Sequence, residues 1–395
     1  MLTIHLVTQD FLPQKGGLER WTFCLAKLLK AMGHDVVIHV MTERMPIHDA
    51  SMDLLDGIKF DWLCEERSVW EAPLLYDGGS VSNSEKWRIN FLCLRNAVAR
   101  AIDESPERRH VLISNYLLSP GHLASMAAEN LSIPHIACVV GTDFSRGFRN
   151  TIERTTIGNV VKQATFVVTL CYEQEHSLTR AFALSNVTTI HTSVDQGVFE
   201  NQWVAQKTDK IRLFSDCGFS HKKGTQALMA AFESLAKEGL PVTLTICGNT
   251  QEGQESYWRQ LQDACIKRLP LAVSFHEFLE PTEIWRHIVA SDVYCSATLG
   301  EGCSLARVAA LCIGIPIVST SCGELPDLTA ESTHVRLAKP GDFQGFTSEL
   351  RKLCREYSEG NLKINHDALE TWRTYFAPAR EFQEWQTLLD KVDTD

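Results

Sequence analysis

Short apolar runs alternate along the chain with segments whose apolar residues recur at helical spacing. Residues 2–8 (LTIHLVT) form the first run, and a helix with an apolar face is predicted over 18–33, ending at Gly33. DVVIHVMT (35–42) is the next strand. HVLISN (110–115), HIACVV (135–140), FVVTLC (166–171) and VTTIHT (187–192) continue the series, with a helix over 123–131. The second half restarts the same grammar. Strands are predicted at 210–217, 242–248, 273–278, 292–297 and 315–320. Helices are predicted at 225–239, 256–269 and 282–291 and after Glu301, and one long helical pattern runs from His366 to about Val392. Strand, loop and helix in strict alternation specify parallel sheets with right-handed crossovers. The reading is α/β: two tandem doubly wound, Rossmann-like domains facing a cleft. Residues 1–200 form the first domain, 201–370 the second, and 371–395 a C-terminal helix packing back on the first.

The 395 residues suit two domains, each with its own core. No window has the length of apolar sequence that spans a bilayer, and the opening run reads as a strand rather than a signal peptide. Net charge is −11 and neither half is basic, which argues against a nucleic-acid partner. Thirteen cysteines are scattered without a C-x-x-C pair, several inside apolar segments (Cys24, Cys138, Cys247, Cys312). They read as buried thiols in a reducing cytoplasm.

Four strand-to-helix junctions are candidates for chemistry. In PQKGGLER (13–20), Gly16 and Gly17 open a helix where backbone N–H groups meet an anion closely. Taken alone, a plain tight turn explains the pair better. In CGFSHKKGTQAL (217–228), Lys222 and Lys223 precede Gly224, where a lysine would neutralise a phosphate, and a solvated basic turn accounts for them equally well. In VVGTDFSRGFRN (139–150), Asp143 and Arg146 follow an apolar strand, where function collects, and the bland reading is an Asp that caps the next turn. In TLGEGCSLARVAALCIG (298–314), Gly302, Cys303 and Ser304 present amides at a helix start, with Glu301 beside them. A carboxylate next to a phosphate site is unfavourable unless it binds something else, such as hydroxyl groups. No metal site is read: the lone D-x-D is Asp393–Asp395, and the histidines lack ligand spacing.

In this order and spacing, the junctions resemble the GT-B glycosyltransferases of family 4, the group-1 glycosyltransferases. The likeness covers nearly the whole chain, from GGLERWTFCLAKLLKAMGHDV through SNVTTIHTSVDQGVF and SDCGFSHKKGTQALMAAF to LGEGCSLARVAALCIGIPIVSTSCGELPDL. It implies a retaining, metal-independent transferase that takes a nucleotide-diphospho-sugar as substrate, without a cofactor. The acceptor would be a saccharide or a lipid-linked one, in surface polysaccharide or glycoconjugate assembly. It implies that Lys223, helped by Lys222, the amides of Cys303 to Leu305 and the Gly16–Gly17 loop, stabilises the leaving diphosphate. Glu301 would hold hydroxyls of the donor sugar, Asp143 would lie on the acceptor side, and backbone near Gly248 and Phe278 would meet the base. A cytoplasmic protein is implied. The helix over 87–102, with Arg88, Arg95 and Arg100, offers peripheral contact with the inner membrane, although covering the sheet accounts for it more simply.

Two departures stand against the family pattern. The second Glu of E-x7-E, which holds the ribose hydroxyls, falls at Ala309, and the Arg that accompanies the phosphate-binding Lys falls at Gly218. They support an alternative: a nucleotide-sugar-binding protein whose catalysis has lapsed. An NAD-dependent Rossmann enzyme is disfavoured, because neither half shows G-x-G-x-x-G after its first strand.

Overall fold

The computed structural model describes residues 1–11, 16–41, 58–62, 83–141, 151–206, 208–250, 253–269, 272–328 and 332–394. The chain divides into two compact units, Met1–Ile190 with Phe382–Asp395, and His191–Glu381.

The first unit holds β1 (Leu2–Thr8), α1 (Gly17–Ala31), β2 (Asp35–Val40), β3 (Lys59–Trp62), α2 (Asn83–Glu104), β4 (Arg109–Asn115), α3 (Ser119–Leu131), β5 (His135–Val139), α4 (Thr151–Gln163), β6 (Phe166–Thr169), α5 (Tyr172–Phe182) and β7 (Val187–Thr189). Its sheet has the order β3-β2-β1-β4-β5-β6-β7, and the pairs are parallel. The inner strands are buried along their length, which is why they read as unbroken apolar runs. The order reverses between β1 and β4, the switch point where such sheets bind ligands.

The second unit holds β8 (Ile211–Ser215), α6 (Thr225–Lys237), β9 (Val242–Cys247), α7 (Glu255–Arg268), β10 (Val273–His276), α8 (Pro281–Val289), β11 (Val293–Ser296), α9 (Leu305–Ile313), β12 (Ile317–Thr320), α10 (Leu325–Leu328), β13 (Val335–Ala338), α11 (Phe343–Ser358) and α12 (His366–Tyr375). The sheet order is β10-β9-β8-β11-β12-β13, again parallel, and it reverses between β8 and β11. Two cores form around it. One gathers Leu213, Phe232, Leu244 and Leu350, and the other Phe214, Tyr294, Ala309, Leu311 and Trp372.

Two expectations need correction. The helical pattern from His366 to Val392 is two helices, α12 and α13 (Pro378–Thr394), because Pro378 lacks the N–H that would continue the first. Cys24 is exposed: α1 turns Trp21, Leu25 and Leu29 inward, and Cys24 lies on the opposite face. The short strand β3 and the strand β13 emerge only in the structure. Cys138, Cys247 and Cys312 are buried. The arginine-bearing helix α2 buries Leu94 and Val98 in a cluster with Leu123 and Ala127 of α3. Among the described residues no helix is long and apolar enough to cross a membrane.

Candidate functional site

The second unit assembles its polar residues beyond β8 and β11. After Ser215 the chain turns through Asp216, Cys217 and Gly218. Gly218 has a φ of +61°, and a Cβ there would lie 2.7 Å from the Asn249 carbonyl oxygen. An arginine at this place is therefore incompatible with the loop as built. The loop is stitched by Thr225, whose hydroxyl donates to the Gly218 carbonyl at 2.8 Å.

Gly224 has a φ of +67°, and a Cβ on it would overlap the Ala297 carbonyl. That approach locks the turn of Lys222 and Lys223 against the end of β11. Leu299 N donates to the Lys222 carbonyl at 2.8 Å, and the Thr298 hydroxyl donates to it at 3.3 Å. The two loops are thus sewn together by backbone, which places Lys223 Nζ 2.5 Å from Glu301 Oε2.

The electrostatics follow from that contact. Burial alone would raise the Glu301 pKa, but Lys223, then Lys222 and Arg307, outweigh it and hold the carboxyl at about 2. Burial opposes the charge of Lys223, and Glu301 with Asp216 more than offsets it, so the ammonium sits above its ordinary range. Both groups are charged at neutral pH.

Behind them lies a second ion pair that sequence reasoning missed. Arg307, on α9, meets Glu324 in two hydrogen bonds, Nε to Oε1 at 2.9 Å and Nη2 to Oε2 at 2.7 Å. Their side chains are 1% and 0% exposed. Glu324 Oε2 also accepts from Ser304 N at 3.3 Å, and Ser304 Oγ caps α9 by accepting from Arg307 N at 3.4 Å. Glu324 therefore supplies a negative charge at the N-terminus of α9. The Ser304 amide is already engaged inside the protein. Gly302 is buried, and Cys303 and Leu305 are half-buried. The signal available in the sequence was Arg307 itself, a charge in an otherwise apolar helix, which requires a buried partner.

A third feature was also unforeseen. Asp216, half-buried, accepts a hydrogen bond through Oδ1 from the fully buried Tyr294 hydroxyl. Ala309 is 1% exposed and belongs to the same core cluster as Tyr294. Gly248 and the half-buried Phe278 follow the adjacent strands β9 and β10, and Gly248 N donates to the His276 and Glu277 carbonyls at 3.3 Å.

In the first unit a cavity of about 630 Å³ opens at the switch point of the sheet, lined by Asp10, Gly17, Glu19, Trp87, Tyr116 and His122 among others. Gly16 caps α1 in extended conformation, and the Glu19 side chain folds back over it. Burial, with the neighbouring Asp10, pushes the Glu19 carboxyl above its usual range. The glycine pair and the Lys223–Glu301 pair are thus each placed beyond a switch point of their own sheet. Asp143 and Arg146 lie outside the described residues.

Residues 212–356 match the family model of glycosyl transferases group 1, the segment that carries Asp216, Lys223, Glu301, Arg307 and Glu324. Solved structures align over almost the full length. An Anabaena protein, Alr3699/HepE, in complex with UDP-glucose superposes with a TM-score of 0.72 at 15% identity, covering 99% of this chain and 100% of that one. Sucrose-phosphate synthase from Thermosynechococcus elongatus gives 0.76 at 12% identity, with both chains fully covered. The fold is GT-B. Among curated proteins, the glycogen synthase of Mycobacterium tuberculosis is 22% identical over 375 residues, 89% of this chain and 86% of that protein. The doubly wound α/β domains read from the alternation of elements are those observed, the GT-B architecture implied by the resemblance is the fold found, and the segment that matches the group 1 model lies in the second unit.

Proposed function

We propose that this GT-B protein is a retaining glycosyltransferase that moves a sugar from a nucleotide-diphospho-sugar to a saccharide or lipid-linked acceptor. The observation that carries this reading is the Lys223–Glu301 pair beyond the β8/β11 switch point, inside the group 1 glycosyl transferase segment. As the sugar–phosphate bond breaks, negative charge grows on the diphosphate and Lys223 neutralises it, with Lys222 close behind. Glu301, ionised throughout the working pH range, accepts hydrogen bonds from hydroxyls of the donor sugar. No protein nucleophile is assigned, since same-face attack assisted by the leaving phosphate requires none. The lysines supply the charge without a metal ion. The first unit takes the acceptor, and Asp143 is the residue of that unit assigned to it. Polysaccharide or glycoconjugate assembly in the cytoplasm, at the inner membrane, is the setting that this chemistry suits.

A second reading has specific support. Ala309 is buried in the core and the Gly218 backbone excludes an arginine, so two polar contacts usual in the family are missing. A nucleotide-sugar-binding protein with lapsed catalysis would keep the rest.

Calorimetric titration with UDP, GDP, ADP and their common sugar conjugates, without added metal, tests the donor site. Binding to one nucleotide series that is lost in Lys223→Ala supports it. Turnover of the bound conjugate with saccharide acceptors then separates the enzyme from the lapsed form. No binding at millimolar concentration would refute both.

A further inference from the structure

We propose that Asp216, fixed by the Tyr294 hydroxyl, is the carboxylate that takes the ribose hydroxyls of the nucleotide. The proposal rests on the donor-site reading above. Asp216 is the first residue past β8, at the point where the strand order reverses. Tyr294 reaches it from β11, the neighbouring strand, so the two strands that flank the switch point hold the group between them. The tyrosine uses one carboxylate oxygen. Among the described residues Oδ2 has no hydrogen-bond donor, and Lys223 bonds Glu301 rather than Asp216. A carboxylate has lone pairs for several donors, so Asp216 keeps capacity for a ligand.

The ligand group must donate hydrogen bonds. A phosphate has none to give and would be repelled. On a nucleotide-diphospho-sugar, hydroxyls flank the diphosphate on two sides, the sugar and the ribose. Glu301 serves the sugar in the reading above. Asp216 is close enough to Lys223 to favour its charge and its carbonyl adjoins Gly248 at the end of β9, and the ribose hydroxyls are the ones left for it. A vicinal diol there would give two hydrogen bonds to one anionic group, the stronger kind.

Ala309 completes the argument. The carboxylate that the E-x7-E pattern would put on α9 is absent, and the position is packed into the cluster that also buries Tyr294 and Phe214. A glutamate could not enter it without displacing core side chains. The strand end supplies the carboxylate instead, and the buried tyrosine orients it.

The test compares UDP, ADP and GDP with their 2′-deoxy forms by calorimetry, on the full chain and on Asp216→Asn, Asp216→Ala and Tyr294→Phe. For the nucleotide that binds, the unaltered protein should favour the ribonucleotide by roughly ten-fold or more. That ratio should fall toward one in both Asp216 variants, and partly in Tyr294→Phe, with thermal melting confirming that each variant is folded. A ratio comparing two ligands on one folded protein is not moved by a merely structural defect. An undiminished ratio in Asp216→Asn, or no ribose preference in the unaltered protein, overturns the proposal and leaves the donor site standing. Failure of every nucleotide to bind the unaltered protein overturns the donor site, and this assignment with it.

Discussion

Lys223 Nζ and Glu301 Oε2 stand 2.5 Å apart, so the two groups satisfy each other before any ligand arrives. A diphosphate that engages Lys223 must compete with that carboxylate. Glu301→Gln should therefore bind a free nucleoside diphosphate as tightly as the unaltered protein or several-fold tighter. It should lose at least 100-fold in turnover of the sugar conjugate. Parallel titrations and initial rates check both; unchanged turnover would remove Glu301 from the site. The same pair sets an acid limit. With the folded carboxyl at about 2 and the free value near 4.5, its contribution to stability is complete above pH 4.5 and is lost as pH falls toward 2.

The Arg307–Glu324 pair is buried on both sides. Removing one partner strands a charge, so Glu324→Ala should cost about 3–5 kcal/mol in urea unfolding. Arg307→Met with Glu324→Leu should cost less than the sum of the single changes. Strict additivity would show that the two side chains do not act as a unit. Because Glu324 also takes the Ser304 amide, the single variant should weaken nucleotide binding as well.

Histidines set a second pH window. His5, on β1, bonds His39 at 2.9 Å and His110 at 3.1 Å, and all three are buried. Burial, with His39 and His110, drives His5 well below its ordinary value, and burial alone takes His135 to about 3. The unfolded chain therefore takes up protons first. Stability is full above pH 6.5 and falls as pH drops from there toward 3, by on the order of a few kcal/mol. Unfolding free energies at pH 7.5 and 5 measure the slope, which His135→Asn should reduce. A flat profile between those values would contradict the burial of these rings.

The fold was legible because a strand buried on both faces must be a continuous apolar run, and each run is followed by a helix of the right length. Lys223 and Glu301 were legible because they stand at loop-to-helix junctions, where a charge is conspicuous. Their pairing was not, since it spans 78 positions and depends on Gly224 fitting against Ala297. Asp216 was hidden for a like reason. A lone aspartate after a strand reads as a turn residue until a tyrosine from another strand is seen to hold it. Arg307 was visible as an oddity, but nothing local named Glu324, 17 residues on, as its partner. The break between α12 and α13 was marked by Pro378, which the helical periodicity on either side obscures.

Cys303 follows Glu301 by two positions and is half-buried, whereas most other thiols described are enclosed. Burial lifts Cys265 to about 11 and Cys312 and Cys354 to about 12, so they keep their protons at neutral pH and resist alkylation. The loop beside the proposed donor site thus carries its own chemical reporter. The rate at which an alkylating reagent marks the peptide containing Cys303 would register the arrival of a ligand, with no label added to the chain.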